Sequence, residues 1–195
     1  MEVECFLKSI KKYLVLAASL ILLLTTCAYG DATADLLKAV HLKTTTPQKI
    51  DALIKSGADV NARDRFDNTV LMWAAAKNPN PEVIKMLIDA GADVNAKVER
   101  VYVSFTGYDA LVFAVRHNNV DVIKTLIDAG ADVNARLNFS DYTVLMSAVS
   151  VNNPEIIKLL LSVGADPNAK NNKGRTAYDL TNNKEIRKIL RNAMK

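Results

Sequence analysis

The stretch Gly57-Ala58-Asp59-Val60-Asn61-Ala62 decides the fold, because it returns three times. GADVNA stands again at residues 91–96 and 130–135, and GADPNA at residues 164–169. The glycines are 34, 39 and 34 residues apart. A recurrence at this period marks a stack of small units, none of which can bury its apolar face alone. Such an array points to binding rather than catalysis.

Upstream of each glycine runs an amphipathic stretch: KIDALIKSG, EVIKMLIDAG, DVIKTLIDAG and EIIKLLLSVG. Apolar residues fall at i, i+1, i+4 and i+5, as in Val83, Ile84, Leu87 and Ile88. That spacing covers one broad side of a helix and excludes the alternation of a strand. Glu82, Asp121 and Glu155 stand in the first turn, where the helix dipole favours an anion. The glycine just past the last apolar residue is a helix stop. A second helical stretch precedes the first in each unit: TVLMWAAAK from Thr69, DALVFAVRH from Asp109 and TVLMSAVSV from Thr143. Each opens on a good N-cap and continues through small residues that let helices approach closely. The short breaks between the two helices, NPNP at 78–81, HNN at 117–119 and NNP at 152–154, have turn composition. The unit therefore reads helix, tight turn, antiparallel helix, glycine stop, extended loop.

This unit resembles the ankyrin repeat, which opens its first helix with T-P-L-H and ends after its second with G-A-D-V-N-A. Here the opening appears as TVLM at 69–72, DALV at 109–112, TVLM at 143–146 and TAYD at 176–179. The resemblance covers about residues 34–195. No unit has the proline, and none has the histidine that tightens the turn; these departures bear on local cap stability, not on the fold. The resemblance implies an all-α repeat solenoid of about five stacked helix-turn-helix units with hairpin loops. We expect units at about 31–63, 64–97, 98–136, 137–170 and 171–195. The first has an atypical opening helix, ADLLKAVHLK, and serves as a cap. The fifth lacks the glycine ending and closes the stack, with Ile186, Ile189 and Leu190 inward and Lys184, Lys188, Arg191 and Lys195 outward.

The family binds protein partners with its loop tips and first helices, which line a concave face. The loop of the third unit, VERVYVSFTGYD at 98–109, is about six residues longer than its counterparts and alternates like a strand. It is expected to form a lengthened hairpin finger. The loop aromatics Phe66, Tyr102, Phe105, Tyr108, Phe139 and Tyr142, with Arg65, Arg100 and Arg116 nearby, have the makings of interface anchors. Lys77, Arg116 and His117 end first helices and reach the same face. With Asn68 these form the expected partner-binding set. Trp73 is assigned to the core. The recurring Asp59, Asp93, Asp132 and Asp166 have structural roles, and Asn61, Asn95, Asn134 and Asn168 lock loops through their amides.

Nothing in the chain reads as an enzyme. Its two histidines, His41 and His117, belong to different units, and there is no metal-ligand spacing, phosphate loop or nucleophile elbow. No catalytic residue, metal or cofactor is expected. A formal charge of +4 is too mild and too scattered to predict nucleic-acid binding. The expected partner is a protein, with no small-molecule substrate, and the chain itself is expected to be a monomer.

Residues 1–30 stand apart. Lys8, Lys11 and Lys12 precede an apolar run at 13–24 and the small and polar TTCAYG, the order of a secretory signal cleaved after Gly30. Ala32 and Ala34 offer a second, less favoured cleavage site. Two further readings are an uncleaved anchor over the uncharged residues 13–30 and lipidation at Cys27 within LTTC. Cys5 and Cys27 are the only cysteines, so the mature chain has no disulfide. The sequence thus describes an exported, periplasmic or secreted bacterial protein, or one tethered to the envelope through Cys27 or the leader. It would be a non-enzymatic scaffold for a protein partner, or an immunity-type factor protecting against one enzyme or toxin.

Overall fold

A computed structural model of the chain describes residues 32–99, 106–117, 119–137 and 141–194. The leader and the outer part of the long finger lie outside the described residues. The elements run α1 (Ala32–Val40), α2 (Pro47–Lys55), α3 (Val70–Lys77), α4 (Pro81–Asp89), α5 (Ala110–Arg116) and α6 (Val120–Asp128). A two-residue ribbon follows, β1 (Arg136–Leu137) against β2 (Tyr142–Thr143), and then α7 (Val144–Val151) and α8 (Pro154–Ser162). A single 3₁₀ turn (Tyr178–Leu180) and α9 (Lys184–Ala193) end the array. The chain is an all-α repeat solenoid. First helices α1, α3, α5 and α7 pack side by side as an inner row, and each also packs on the second helix of its own unit.

The two rows differ in composition because they differ in burial. Inner helices have neighbours on both sides and behind, so α3 buries Val70, Leu71, Met72, Ala74, Ala75 and Ala76. Alanine at 74, 75, 114 and 148 leaves room for the adjacent backbone. Outer helices bury one stripe, as Val83, Ile84 and Leu87 do in α4, each 0% exposed. The resulting core is continuous from Leu36 to Leu190. α9 buries Ile186 and Leu190 and exposes Lys184, Lys188 and Arg191, as a terminal unit requires.

The inner helices α3, α5 and α7 are capped without the family's histidine. Thr69 accepts from the Met72 amide at 3.2 Å, and the Met72 thioether accepts from the Thr69 amide at 3.3 Å, closing a box with sulfur in place of an imidazole. Asp109 accepts from the Val112 amide at 2.9 Å, and Thr143 from the Met146 amide at 3.3 Å. In the last unit Asp179 accepts from both the amide and the hydroxyl of Thr176, at 2.9 and 2.8 Å, and these bonds hold its carboxyl below the ordinary range. Outer helices begin on Thr46, Asn80, Asn119, Asn153 and Asn183. At the other end, Gly91 takes φ +93°, and glycines 57, 130 and 164 take φ between +89° and +94°. A side chain there would strain the backbone although nothing lies within 4 Å of an added Cβ.

The recurring GADxNA stretches join the units. Within each, the aspartate accepts from the asparagine two residues on, as in Asn95 N to Asp93 Oδ1 at 2.9 Å. The asparagine side chain then reaches the next unit. Asn61 Nδ2 donates to Gly91 O at 2.9 Å while its Oδ1 accepts from Asp93 N at 2.9 Å. Asn95 does the same to Gly130 O and Asp132 N, and Asn134 to Gly164 O and Asp166 N. Thr33 takes the equivalent place at the start, accepting from Asp59 N at 3.0 Å. A second seam uses the loop arginines. Arg63 donates to Lys97 O at 2.9 Å and pairs with Asp67 at 3.2 Å; Arg136 donates to Lys170 O at 3.1 Å and pairs with Asp141 at 3.1 Å. Asp67 and Asp141 carry positive φ at hairpin tips where Gly107 and Gly174 stand in other units. The buried Asn78 forms a third seam, donating to Thr45 O at 2.8 Å.

Candidate protein-binding face

The inner helices and hairpin loops present one surface, and it is built from rings and cations. The fourth position after the cap is Trp73 in α3, Phe113 in α5 and Ser147 in α7; the last two are buried. The sequence places Trp73 in the core; the structure packs it against the core but leaves it partly exposed, its indole drawn toward the loop by Asp64. Its ring lies 4.3 Å from His41 and 6.3 Å from Phe113, measured between centroids. Phe113 in turn meets Tyr108 edge-on at 5.8 Å. Lys77 sits 5.8 Å over the Trp73 ring and Arg116 sits 5.5 Å over the Tyr108 ring. The row therefore crosses three units, with a cation at the end of α3 and of α5. Rings held by neighbouring rings lose little freedom on binding, which suits them as anchors.

The Trp73 indole is fixed from below. Its Nε1 donates to Asp64 Oδ2 at 2.8 Å, and Asp64 also accepts from the Phe66 and Asn68 amides at 2.8 and 2.9 Å. Burial pushes the Asp64 carboxyl up. The bonds from the Asn68 amide, the Trp73 indole, the Asn68 side chain and the Phe66 amide outweigh it, and the carboxyl lies below its ordinary range. One carboxylate thus shapes a loop and orients the exposed ring beside it.

Toward the C-terminal end the face opens into a groove of about 500 Å³. Loop residues Thr106, Tyr108, Leu137, Tyr142, Asn172, Lys173 and Arg175 form its rim, and Arg116, Ser147 and Ser150 of α5 and α7 form its floor. Of the expected binding residues, Tyr108, Arg116 and Tyr142 come together here, from two units. Lys77 lies on the aromatic row. Phe66 is 44% exposed with the Arg65 guanidinium 4.7 Å over its ring, forming a separate tip. His117 is exposed with Nδ1 2.9 Å from Phe113 O. Asn68 is a correction. It is 3% exposed, its amide lies 3.3 Å from both Asp64 oxygens, and so it braces the loop instead of meeting a partner. Arg100, Tyr102, Phe105 and Phe139 lie outside the described residues. The base of the finger is within them: Val98 N donates to Tyr108 O at 2.9 Å and Gly107 N to Val98 O at 2.7 Å, closing it as a hairpin.

Sequence reading missed Lys173 and Arg175. Aligning the units on their caps supplies the signal: these two stand three and one residues before Thr176, the register of Phe66 and Asn68 before Thr69. Arg175 thereby matches Tyr108 and Tyr142, which precede Asp109 and Thr143.

The family model for ankyrin repeats (3 copies) matches residues 36–137 and again residues 75–171. The chain belongs to the ankyrin-repeat family. Ankyrin repeats generally mediate protein–protein interaction and are typically non-enzymatic. No curated protein matches the chain by sequence. In this ankyrin-repeat chain each histidine ring meets a carbonyl of its own helix: His41 Nδ1 is 2.6 Å from Leu37 O, and His117 contacts Phe113 O as above. Among the described residues no helix is long and apolar enough to cross a membrane.

Proposed function

We propose that this ankyrin-repeat protein is an exported scaffold without catalytic activity, which holds a protein partner against its inner face and loop tips. The observation that carries the reading is the Trp73–Phe113–Tyr108 row flanked by Lys77 and Arg116. Trp73 and Tyr108 are partly solvent-exposed, are braced by the buried Phe113 ring between them and carry cations over their faces, an arrangement that favours a partner and that a self-contained core does not need. The basic, apolar and small-residue order of residues 1–30 supports export.

The test is in-cell crosslinking followed by mass spectrometry, which also reads the mature N-terminus. A Trp73→Ala/Lys77→Glu variant should lose the protein crosslinked to wild type while keeping its helical circular dichroism. Crosslinks unchanged by that variant would remove the inner face from the interaction. A mature N-terminus at Met1 in soluble cytosol would remove export.

A further inference from the structure

The groove differs in chemistry from the aromatic row. Arg116, Lys173 and Arg175 line it. Among the described residues no carboxylate lies within ion-pair reach of any of the three. The other loop arginines behave differently. Arg63 and Arg136 are neutralised by Asp67 and Asp141 and by carbonyls of the next unit, so they are structural. Among the described residues Arg116 meets the Tyr108 ring and no carboxylate, and Lys173 and Arg175 are fixed through their backbone amides to Asn171 Oδ1, both at 3.0 Å, with no described partner for their charged ends. No aspartate or glutamate is present among the groove's described lining residues.

The cations are also spread out. Arg116 belongs to the third unit and Lys173 and Arg175 to the fifth, with Tyr142, Ser147 and Ser150 of the fourth between them. A small anion is best held by donors converging on one point. Cations set at intervals along an open trough, with tyrosine rings beside them, match a chain that carries carboxylates at intervals. We propose that this groove docks an acidic, extended segment of the partner protein, its carboxylates meeting Arg116, Lys173 and Arg175 and its apolar atoms meeting Tyr108 and Tyr142. This inference rests on the protein-binding reading above and names the partner's chemistry.

The probe is a fluorescein-labelled peptide of alternating Glu and Ser, compared by anisotropy with its Gln/Ser counterpart. Binding of the Glu peptide should be about tenfold tighter than that of the Gln peptide at low salt and should weaken as salt screens the charges. Arg116→Glu/Arg175→Glu should weaken it by about tenfold or more, since charge-assisted bonds are lost and repulsion is added. Lys184→Glu/Lys188→Glu on α9, the other basic surface, should leave it within about twofold, as expected of exposed charges outside the site. Equal binding of the Gln peptide, an equal loss from the α9 variant, or binding of inorganic phosphate or RNA in place of the peptide would each overturn the proposal. The two readings fail separately. If the Glu peptide does not bind but Trp73 still governs crosslinking, the groove assignment falls alone. If the peptide binds at the groove but crosslinks ignore Trp73, the aromatic row falls alone.

Discussion

Asp109→Thr should make this protein more stable at neutral pH, although it deletes a helix-capping carboxylate. Asp109 caps α5 and is 2% exposed. Units two, four and five use Thr69, Thr143 and Thr176 at the same register, also buried. Burial is the largest influence on its carboxyl. The Val112 amide, Lys97 and the Leu111 amide act in the opposite direction, Asp132 adds to the effect of burial, and the net result is a pKa raised from 3.8 to about 6. Each unit is worth ~1.36 kcal/mol, so ionised Asp109 costs the folded state ~3 kcal/mol relative to the unfolded chain.

The sign follows from proton uptake. Between the two pKa values the folded state holds more protons than the unfolded state, so stability falls as pH rises through this window. The contribution of Asp109 is fully present below pH 3.8 and lost above about 6. Urea unfolding of wild type and Asp109→Thr at a series of pH values isolates the effect, because every other carboxylate cancels in the difference. The variant should match wild type at the acid end and exceed it by ~1–3 kcal/mol at pH 7.5, the lower figure allowing for imperfect packing of the methyl group. A difference that is the same at both ends, or that favours wild type at neutral pH, would refute the reasoning.

Three further outcomes test the stack. Asn95→Ala or Asn134→Ala removes two inter-unit hydrogen bonds and should cost about 1–2 kcal/mol, whereas Asn168→Ala should cost less than about 0.5 kcal/mol, since among the described residues its side chain has no such partners; equal losses in urea titrations would contradict the seam. Gly130→Ala should cost about 1–2 kcal/mol from its positive φ alone, and a neutral effect on thermal unfolding would show that the helix end can relax. Asn171 Nδ2 is buried without a hydrogen bond among the described residues, while Asp64 fills the same register with a carboxylate; Asn171→Asp should therefore gain about 1 kcal/mol at pH 7, and a loss would mean that desolvation of the carboxylate dominates.

Much of the fold was legible because its determinants are local. The apolar spacing before Gly57, Gly91, Gly130 and Gly164 sets one face of each outer helix, and a glycine that must take positive φ ends it. Threonine, aspartate or asparagine starts each helix from α2 to α9 through bonds spanning two or three residues. The substitute for the missing histidine was harder to see. A methionine thioether and, in the last unit, Asp179 close the caps, and neither residue type announces that role in a sequence. The grouping of three loop and helix-end residues was legible too: Tyr108, Arg116 and Tyr142 line one groove. Asn68 was read as exposed and Trp73 as core; the first is buried and the second is only partly so, because polarity predicts exposure only on average. Asn68 turns inward to Asp64, and the indole held by the same carboxylate stays partly exposed.

Sequence alone determined that GADVNA recurs, and therefore that equivalent helices stack, because period and helix signals are properties of neighbouring residues. It could not tell Asn95 from Asn168, whose local sequences are nearly the same. Only the tertiary structure separates them: the first has a following glycine carbonyl and aspartate amide to bond, and the last has no such successor. The same holds for the arginines. Arg63 and Arg136 are neutralised by their own loops, while Arg116 and Arg175 meet in a groove without a described carboxylate. Charge pairing depends on distances across units, and those distances exist only once the units have packed.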